Sequence, residues 1–220
     1  MKVLFFLGFP NPFPGAAWTR IGFFADQWSR SGHSIEILGT FTYTSLKKRG
    51  ARRFGRVNIF NLIFYLGVNN PLVFILNNLV SFIVSMVFLL VRRSDIVVIS
   101  VPTGDTGIGA MMACKLMRVR YIVDYRDEWE DYVMSLANSR AIKLFYSAVK
   151  KFTTILYASS SAIVTTTSNI KASLRRRGLM NVVLVTNGAD VKTFKPLNIG
   201  KNRKDFVIIY SGQIGGYYRL

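Results

Sequence analysis

Short continuous apolar runs recur along the chain, each followed by a longer stretch with helical spacing, and this alternation is the strongest constraint on the fold. Ile96-Val97-Val98-Ile99 is the clearest run, and strands buried on both faces read this way. Strands are expected over 2–8, 34–39, 57–63, 95–101, 121–126, 162–167, 182–186 and 206–211. Helices are expected over 17–31, 71–92, 107–118, 140–159 and 168–177. Strands alternating with helices imply right-handed crossovers and a parallel sheet. The expected class is α/β, a doubly wound, Rossmann-like parallel sheet.

Charge and cysteine content narrow the chemistry. Among 220 residues, 29 Lys+Arg oppose 11 Asp+Glu, a net charge of +18, while half the residues are hydrophobic. That is too apolar for disorder and long enough for one sizeable core. The single cysteine, Cys114, excludes a disulfide-stapled secreted domain and points to a reduced, cytoplasmic compartment. With one Cys and one His (His33), only carboxylates remain as metal ligands, so no metal is expected. His33 itself falls in the turn after the first helix and reads as a loop residue.

Two segments invite a membrane reading. The run 1–7 is short for a signal peptide and is stopped by Pro10, Pro12 and Pro14, so it reads as a buried strand entering a tight loop. Residues 71–91 carry no charge, are flanked by Arg92 and Arg93, and are long enough to span a bilayer. Their polar residues argue otherwise. At about 100° per residue, Asn77, Asn78, Ser81, Ser85 and Arg92 share one stripe. A helix packed on a sheet, with that stripe along a wetted edge, is expected.

A composition shift follows Pro196. Residues 1–196 read as one Rossmann-like domain, 197–204 as a polar, basic linker, and 205–220 as the first strand of a second domain that is otherwise missing.

In open parallel sheets ligands bind at the carboxyl ends of the strands, so the loops leaving the strands hold the candidate residues. The first loop ends in Gly15, Ala16 and Arg20 as a helix begins; a glycine there lets backbone N–H groups approach an anion, and it equally permits a plain tight turn. It is neither a GxGxxG fingerprint nor a P-loop. The second, 101–109, includes Thr103 for phosphate or sugar-hydroxyl contact, although Gly107 and Gly109 read more simply as close helix–sheet packing. The third, Asp124 to Asp131, packs five of the chain's eleven acids into eight positions around Arg126, a pattern suited to general-base or hydroxyl-binding work. Its plain alternative is an Arg-paired loop with Trp129 in the core. The fourth, Asn187-Gly188-Ala189-Asp190, reads as a structural turn.

Taken in order, these segments resemble the N-terminal half of a GT-B glycosyltransferase of family 4. The resemblance rests on Pro14-Gly15-Ala16-Ala17 with Arg20, on Gly32-His33-Ser34-Ile35-Glu36-Ile37, on Asp124-Tyr125-Arg126-Asp127-Glu128-Trp129, on Asn187-Gly188-Ala189-Asp190 with Phe194 and Pro196, and on Tyr210-Ser211-Gly212-Gln213-Ile214-Gly215. It implies a retaining transferase with a nucleotide-diphosphate sugar as co-substrate, no bound cofactor or metal, and a glycan or polyprenyl-linked acceptor held by this half. By motif position, Gly15 approaches the donor phosphates, and Arg126 and Asp127 lie near the reaction centre; Ala16, Arg20, Thr103 and Asp124 complete the expected substrate-binding set. The family's main donor-binding residues belong to a C-terminal domain, so activity is expected to need that domain or a partner chain, and the isolated half to be inactive. An acceptor-binding half of a two-chain transferase is the alternative, as is a non-catalytic basic subunit binding membrane or nucleic acid.

Basic residues cluster at Lys47, Lys48, Arg49, Arg52, Arg53 and Arg56, interleaved with Phe41, Tyr43, Leu46 and Phe54, and again at Arg175-Arg176-Arg177. Exposed Lys and Arg are worth about 1 kcal/mol each near an anionic membrane, so the 41–56 segment suits peripheral attachment to the inner membrane face, or else forms a solvated loop. Nucleic acid ranks lower as a partner, because no recognition helix or aromatic RNA-binding strand motif is present.

Overall fold

Lys2–Leu7 is almost wholly buried and forms β1, the middle of an eight-stranded sheet. A computed structural model describes residues 1–12, 15–68, 70–101, 104–189, 191, 194, 195, 208 and 209. After β1 come α1 (Ala16–Arg30), β2 (Ser34–Phe41), a 3₁₀ segment (Tyr43–Lys48), β3 (Gly50–Phe54), β4 (Val57–Phe64) and α2 (Pro71–Arg92). The second half runs β5 (Ile96–Val101), α3 (Gly104–Leu116), β6 (Arg120–Tyr125), α4 (Trp129–Leu136), α5 (Arg140–Ala158), β7 (Ala162–Thr165), α6 (Ser168–Arg176) and β8 (Val182–Leu184). The strand order is β3-β4-β2-β1-β5-β6-β7-β8, parallel except for the β3–β4 pair. The doubly wound α/β class read from the sequence is the class observed.

Residues Met1–Asn187 form one compact unit and Gly188–Leu220 another. In the second unit, the linker 197–204 lies outside the described residues, as does the expected strand 206–211 apart from Ile208 and Ile209, which are exposed. The turn residue Asp190 and Pro196 also lie outside them.

Period-two alternation in β1, β2 and β5 divides the core into two layers. Phe5, Ile35, Ile37 and Ile59 pack on Ile21 and Ala25 of α1. Leu4, Phe6, Leu38 and Ile99 face the opposite layer, with Phe88 of α2, Met111 of α3 and Tyr157 of α5. Two short elements escape the periodicity reading. β3 pairs along the outer edge of β4, and its exposed Arg52 and Arg53 are the charged residues that discourage a free edge from pairing further. Within 41–56, residues 43–48 thus form a 3₁₀ segment and 50–54 an edge strand, and Lys48 is drawn inward to donate to the Pro12 carbonyl at 3.0 Å. α4 begins at Trp129, whose ring is buried as the plain reading of that tryptophan had it.

The stripe on α2 reverses expectation. Asn77, Asn78, Ser81 and Ser85 are all buried, and the apolar side of the helix faces out. The reason lies in what the polar groups reach. Asn77 bridges both backbone groups of Leu66, accepting from its N–H at 3.0 Å and donating to its carbonyl at 2.7 Å. Asn78 Oδ1 accepts from the Gly109 N–H at 3.0 Å, and Ser81 donates to the Thr106 carbonyl at 2.7 Å. At the far end Arg92 Nε donates to buried Glu36 of β2 at 2.9 Å. Buried polar groups with partners specify a contact that aliphatic side chains do not. In the sequence, Gly107 and Gly109 read as allowing close helix–sheet packing. At Gly109 the close approach is helix to helix, since a Cβ there would lie 2.2 Å from the Asn78 carbonyl oxygen and 2.7 Å from the Phe82 nitrogen.

α2 also links β4 to β5 within one sheet, so a bilayer crossing would separate two strands that share it. The helix lies on the domain and does not span.

Gly109→Ala is expected to destabilise the fold by about 1–3 kcal/mol or more, because α2 backbone must shift, and the loss is read as a lower urea midpoint. Burial pushes the Cys114 thiol up to about 12, so it should resist disulfide-exchange reagents until the chain unfolds, a behaviour checked by labelling along a denaturant series.

Candidate active site

The carboxyl ends of β1, β5 and β6 are held in register by the sheet, which carries their loops to one rim. β6 ends in Asp124 and Tyr125, with Arg126 just beyond; the Arg126 N–H donates to the Val101 carbonyl at 3.1 Å, tying this loop to β5. Asp124 is buried and so is Arg20, one turn into α1. Arg20 Nε donates to Asp124 Oδ1 at 3.1 Å. The rest of its guanidinium reaches Asn187 Oδ1 at 3.0 Å, the Val185 carbonyl at 3.1 Å and the Thr186 carbonyl at 3.4 Å. One side chain thus fastens α1 to the end of β6 and to the segment leaving β8. Arg20 has few donors left over, which makes it a positioning residue for the Asp124 carboxylate.

Arg126 differs. Its side chain is 12% exposed, its Nε is 3.9 Å from Asp124 Oδ2, and that Nε has no hydrogen-bond partner among the described residues. Burial pushes the Asp124 carboxyl above the usual range, and the Arg20 and Arg126 guanidiniums oppose that rise. Burial likewise pulls Arg126 down while Asp124 and Asp127 hold it up; a guanidinium stays charged through such a shift. Asp127 is exposed beside it. The resulting feature is a desolvated cation flanked by one buried and one exposed carboxylate, able to donate to a ligand oxygen and to orient a hydroxyl.

The first loop meets α1 at Gly15, whose φ of +152° favours glycine. Among the described residues no side chain caps the helix there, and its first turn has no acid, so its N–H groups keep room for an anion. The loop itself is pinned from below. Asn11 donates to the Leu7 and Phe9 carbonyls, and Asn61 of β4 accepts from the Asn11 N–H at 3.0 Å. Gly39 leaves the space these amides fill, because a Cβ there would sit 2.3 Å from Asn11 Nδ2. Ala16 continues the backbone into α1. Thr103 lies outside the described residues; of the expected set the structure brings Arg20, Asp124 and Arg126 together, with Asp127 next in sequence, while Gly15 stands at the start of α1.

The other acids of the third loop do different work. Glu130 is fully buried, accepting from Tyr125 at 2.7 Å, Thr153 at 3.0 Å and Tyr157 at 3.1 Å, with Arg177 at 3.4 Å. Asp131 pairs with Lys150 and Glu128 accepts from Ser173. Burial and the two guanidiniums, not mutual repulsion of clustered carboxylates, therefore set the Asp124 titration, and Glu128, Glu130 and Asp131 are each turned to a partner of their own. Arg177, one of the basic cluster at 175–177, is a half-buried part of the Glu130 network. Sequence reading also missed Asn187 as the Arg20 partner; no local signal joins positions 167 residues apart. A hollow of about 640 Å³, lined by Pro10 and residues 42–48, opens beside the first loop, and none of the five candidate residues lines it.

No family profile and no curated protein sequence matches the chain. Solved structures do. Sucrose-phosphate synthase from Thermosynechococcus elongatus superposes with a TM-score of 0.68 at 10% identity, over 89% of this chain and 50% of that one. A shorter piece of the same synthase is covered over 92% of its length, with a TM-score of 0.59 at 8% identity. UDP-GlcNAc 2-epimerase from Methanocaldococcus jannaschii gives 0.52 at 13% identity, over 84% of this chain and 45% of that one. The chain has the fold of one Rossmann-like half of a GT-B protein. It spans about half the length of the full-size structures it matches. At such identities the likeness is one of architecture, and a synthase and an epimerase sharing it do different chemistry.

Arg20→Ala leaves Asp124 buried without its main partner and is expected to cost about 3 kcal/mol or more, whereas Arg126→Ala should cost about 1 kcal/mol or less; paired urea melts would separate a positioning role from a ligand-facing one.

Proposed function

We propose that the chain is the acceptor-side half of a retaining, family 4-type glycosyltransferase, moving a sugar from a nucleotide-diphosphate sugar to a glycan or lipid-linked acceptor at a membrane surface. The observation that carries this reading is Arg126, a desolvated guanidinium whose Nε lacks a hydrogen-bond partner among the described residues, held beside Asp124 and Asp127 at the sheet's carboxyl rim. Sugar hydroxyls and phosphate oxygens are the ligands that such a pairing of cation and carboxylates suits. The uncapped start of α1 at Gly15 supplies N–H groups for a diphosphate at the same rim. The GT-B architecture supports the reading, as do the ordered motifs from Pro14 to Pro196.

In this scheme Arg126 stabilises charge near the reaction centre, and Asp127, exposed beside it, orients an acceptor hydroxyl. Arg20 and Asp124 hold the arrangement rigid. The donor's nucleotide is gripped mainly by a second domain or a partner chain, so the 220 residues alone are expected to bind acceptor and not to turn over.

The test is radiolabel transfer from a panel of nucleotide-diphosphate sugars to membrane lipid extracts, using the complete gene product. Arg126→Ala and Asp127→Ala are each expected to lower turnover by about 100-fold with folding intact. Turnover unchanged in both would remove the loop from the active site. Capture of duplex DNA with a steep salt dependence, together with no sugar transfer, would replace the reading with a nucleic-acid-binding one.

A further inference from the structure

α2 is patterned in reverse of a helix on a water-soluble domain. Leu72, Ile75, Leu79, Ile83, Val87 and Leu90 form one stripe, each 51% to 75% exposed, on the side opposite Asn77, Ser81 and Ser85. The helix is 22 residues long, so this face extends for about 33 Å. Soluble monomers rarely expose contiguous apolar surface on that scale. Hydrogen-bonding side chains turned into the protein, aliphatic ones turned out and a glycine at the helix contact are the arrangement of helices that face lipid.

The neighbouring helices add charge of one sign. α3 exposes Leu116 beside Lys115, and α5 exposes Leu144, Phe152 and Ile155 among Arg140, Lys143 and Lys151. Across α2, α3 and α5 there is one acid, Asp105, and its carboxyl is turned to the Tyr65 hydroxyl. On adjoining α4, Asp131 is paired with Lys150 and Glu130 is buried. The surface is apolar along its length and cationic around it, which is what an anionic lipid surface complements and what a second copy of the same cationic face does not.

We infer that the outward face of α2, framed by the cations of α3 and α5, seats the protein in the interfacial layer of an anionic bilayer, with α2 lying in the membrane plane. The amino-terminal end of α2 then carries the candidate site to the lipid boundary. Phe74 stacks on Trp129 with ring centroids 6.3 Å apart, and Trp129 lies two residues after Asp127. The docking stands on the α2 face alone; its link to a lipid-borne acceptor rests on the proposed transfer function.

Sedimentation of the 220-residue chain with phosphatidylglycerol/phosphatidylcholine vesicles, against phosphatidylcholine alone, is the direct test. The wild type should partition at least ten-fold more strongly to the anionic vesicles, and salt should weaken that binding. A Leu79→Glu/Ile83→Glu variant should lose at least ten-fold in binding while keeping its circular dichroism and melting temperature, since both positions are exposed. Phe23→Glu, on α1 across the sheet, should leave binding unchanged. An environment-sensitive fluorophore on Ile83→Cys should brighten and shift to the blue with vesicles, and the same label on Phe23→Cys should not; buried Cys114 stays unlabelled. Equal binding by wild type and the Leu79→Glu/Ile83→Glu variant would overturn the inference. So would binding lost only on replacing Lys47, Arg49, Arg52 and Arg53 with Ser, or a vesicle-indifferent dimer that Leu79→Glu/Ile83→Glu splits into monomers. Transfer of sugar by the complete gene product with no vesicle binding sinks the docking and spares the function; vesicle binding without transfer does the reverse.

Discussion

The buried contact between Arg20 and Asp124 is the interaction on which the arrangement of the sheet's carboxyl rim depends. Removing two charges from water is costly, and the attraction between them offsets that cost only when the remaining donors are also satisfied. Here they are, by Asn187 and by the carbonyls of Val185 and Thr186. The same contact ties the first turns of α1 to the end of β6, next to Arg126. A single guanidinium thereby sets the geometry of a site to which it offers few donors of its own.

A second polar device, on the other side of the sheet, holds α2 against α3. The amides of Asn77 and Asn78 and the hydroxyl of Ser81, which a water-facing helix would turn outward, are hydrogen-bonded inside, and Gly109 lets the two helix backbones approach closely. The outward aliphatic residues, from Leu72 to Leu90, are left exposed. Stability and surface chemistry are thus coupled: the hydrogen bonds that secure α2 are the reason its greasy side is available.

How much of this was legible in the sequence follows from the range of each interaction. Long segments with strong periodicity, such as 71–92 and 96–101, announced their type because burial on a sheet imposes a local pattern. β3 did not, because an edge strand with Arg52 and Arg53 outward carries no apolar alternation to read. The direction of the α2 stripe was illegible for a different reason: periodicity shows that polar residues share a side, and only their partners, Leu66, Thr106 and Gly109, show which side is inward. At the rim, clustered acids marked the right loop, yet their roles diverged with partners far away in sequence. Glu130 belongs to Arg177, and Asp124 belongs to Arg20, 104 positions earlier.

That separation has a consequence for how the molecule is made. β1 enters the chain first but pairs on one side with β5, while α1 waits for an acid at 124 and an amide at 187. During synthesis from the amino terminus, the opening strand and helix stay without their final neighbours until nearly the whole domain has emerged. Non-local pairing of this kind slows closure and lengthens the exposure of apolar surface. The nascent chain therefore elongates through β5 to β8 with α2 already translated and its sheet incomplete, a period in which a nearby surface able to shelter aliphatic side chains would decide between productive folding and aggregation.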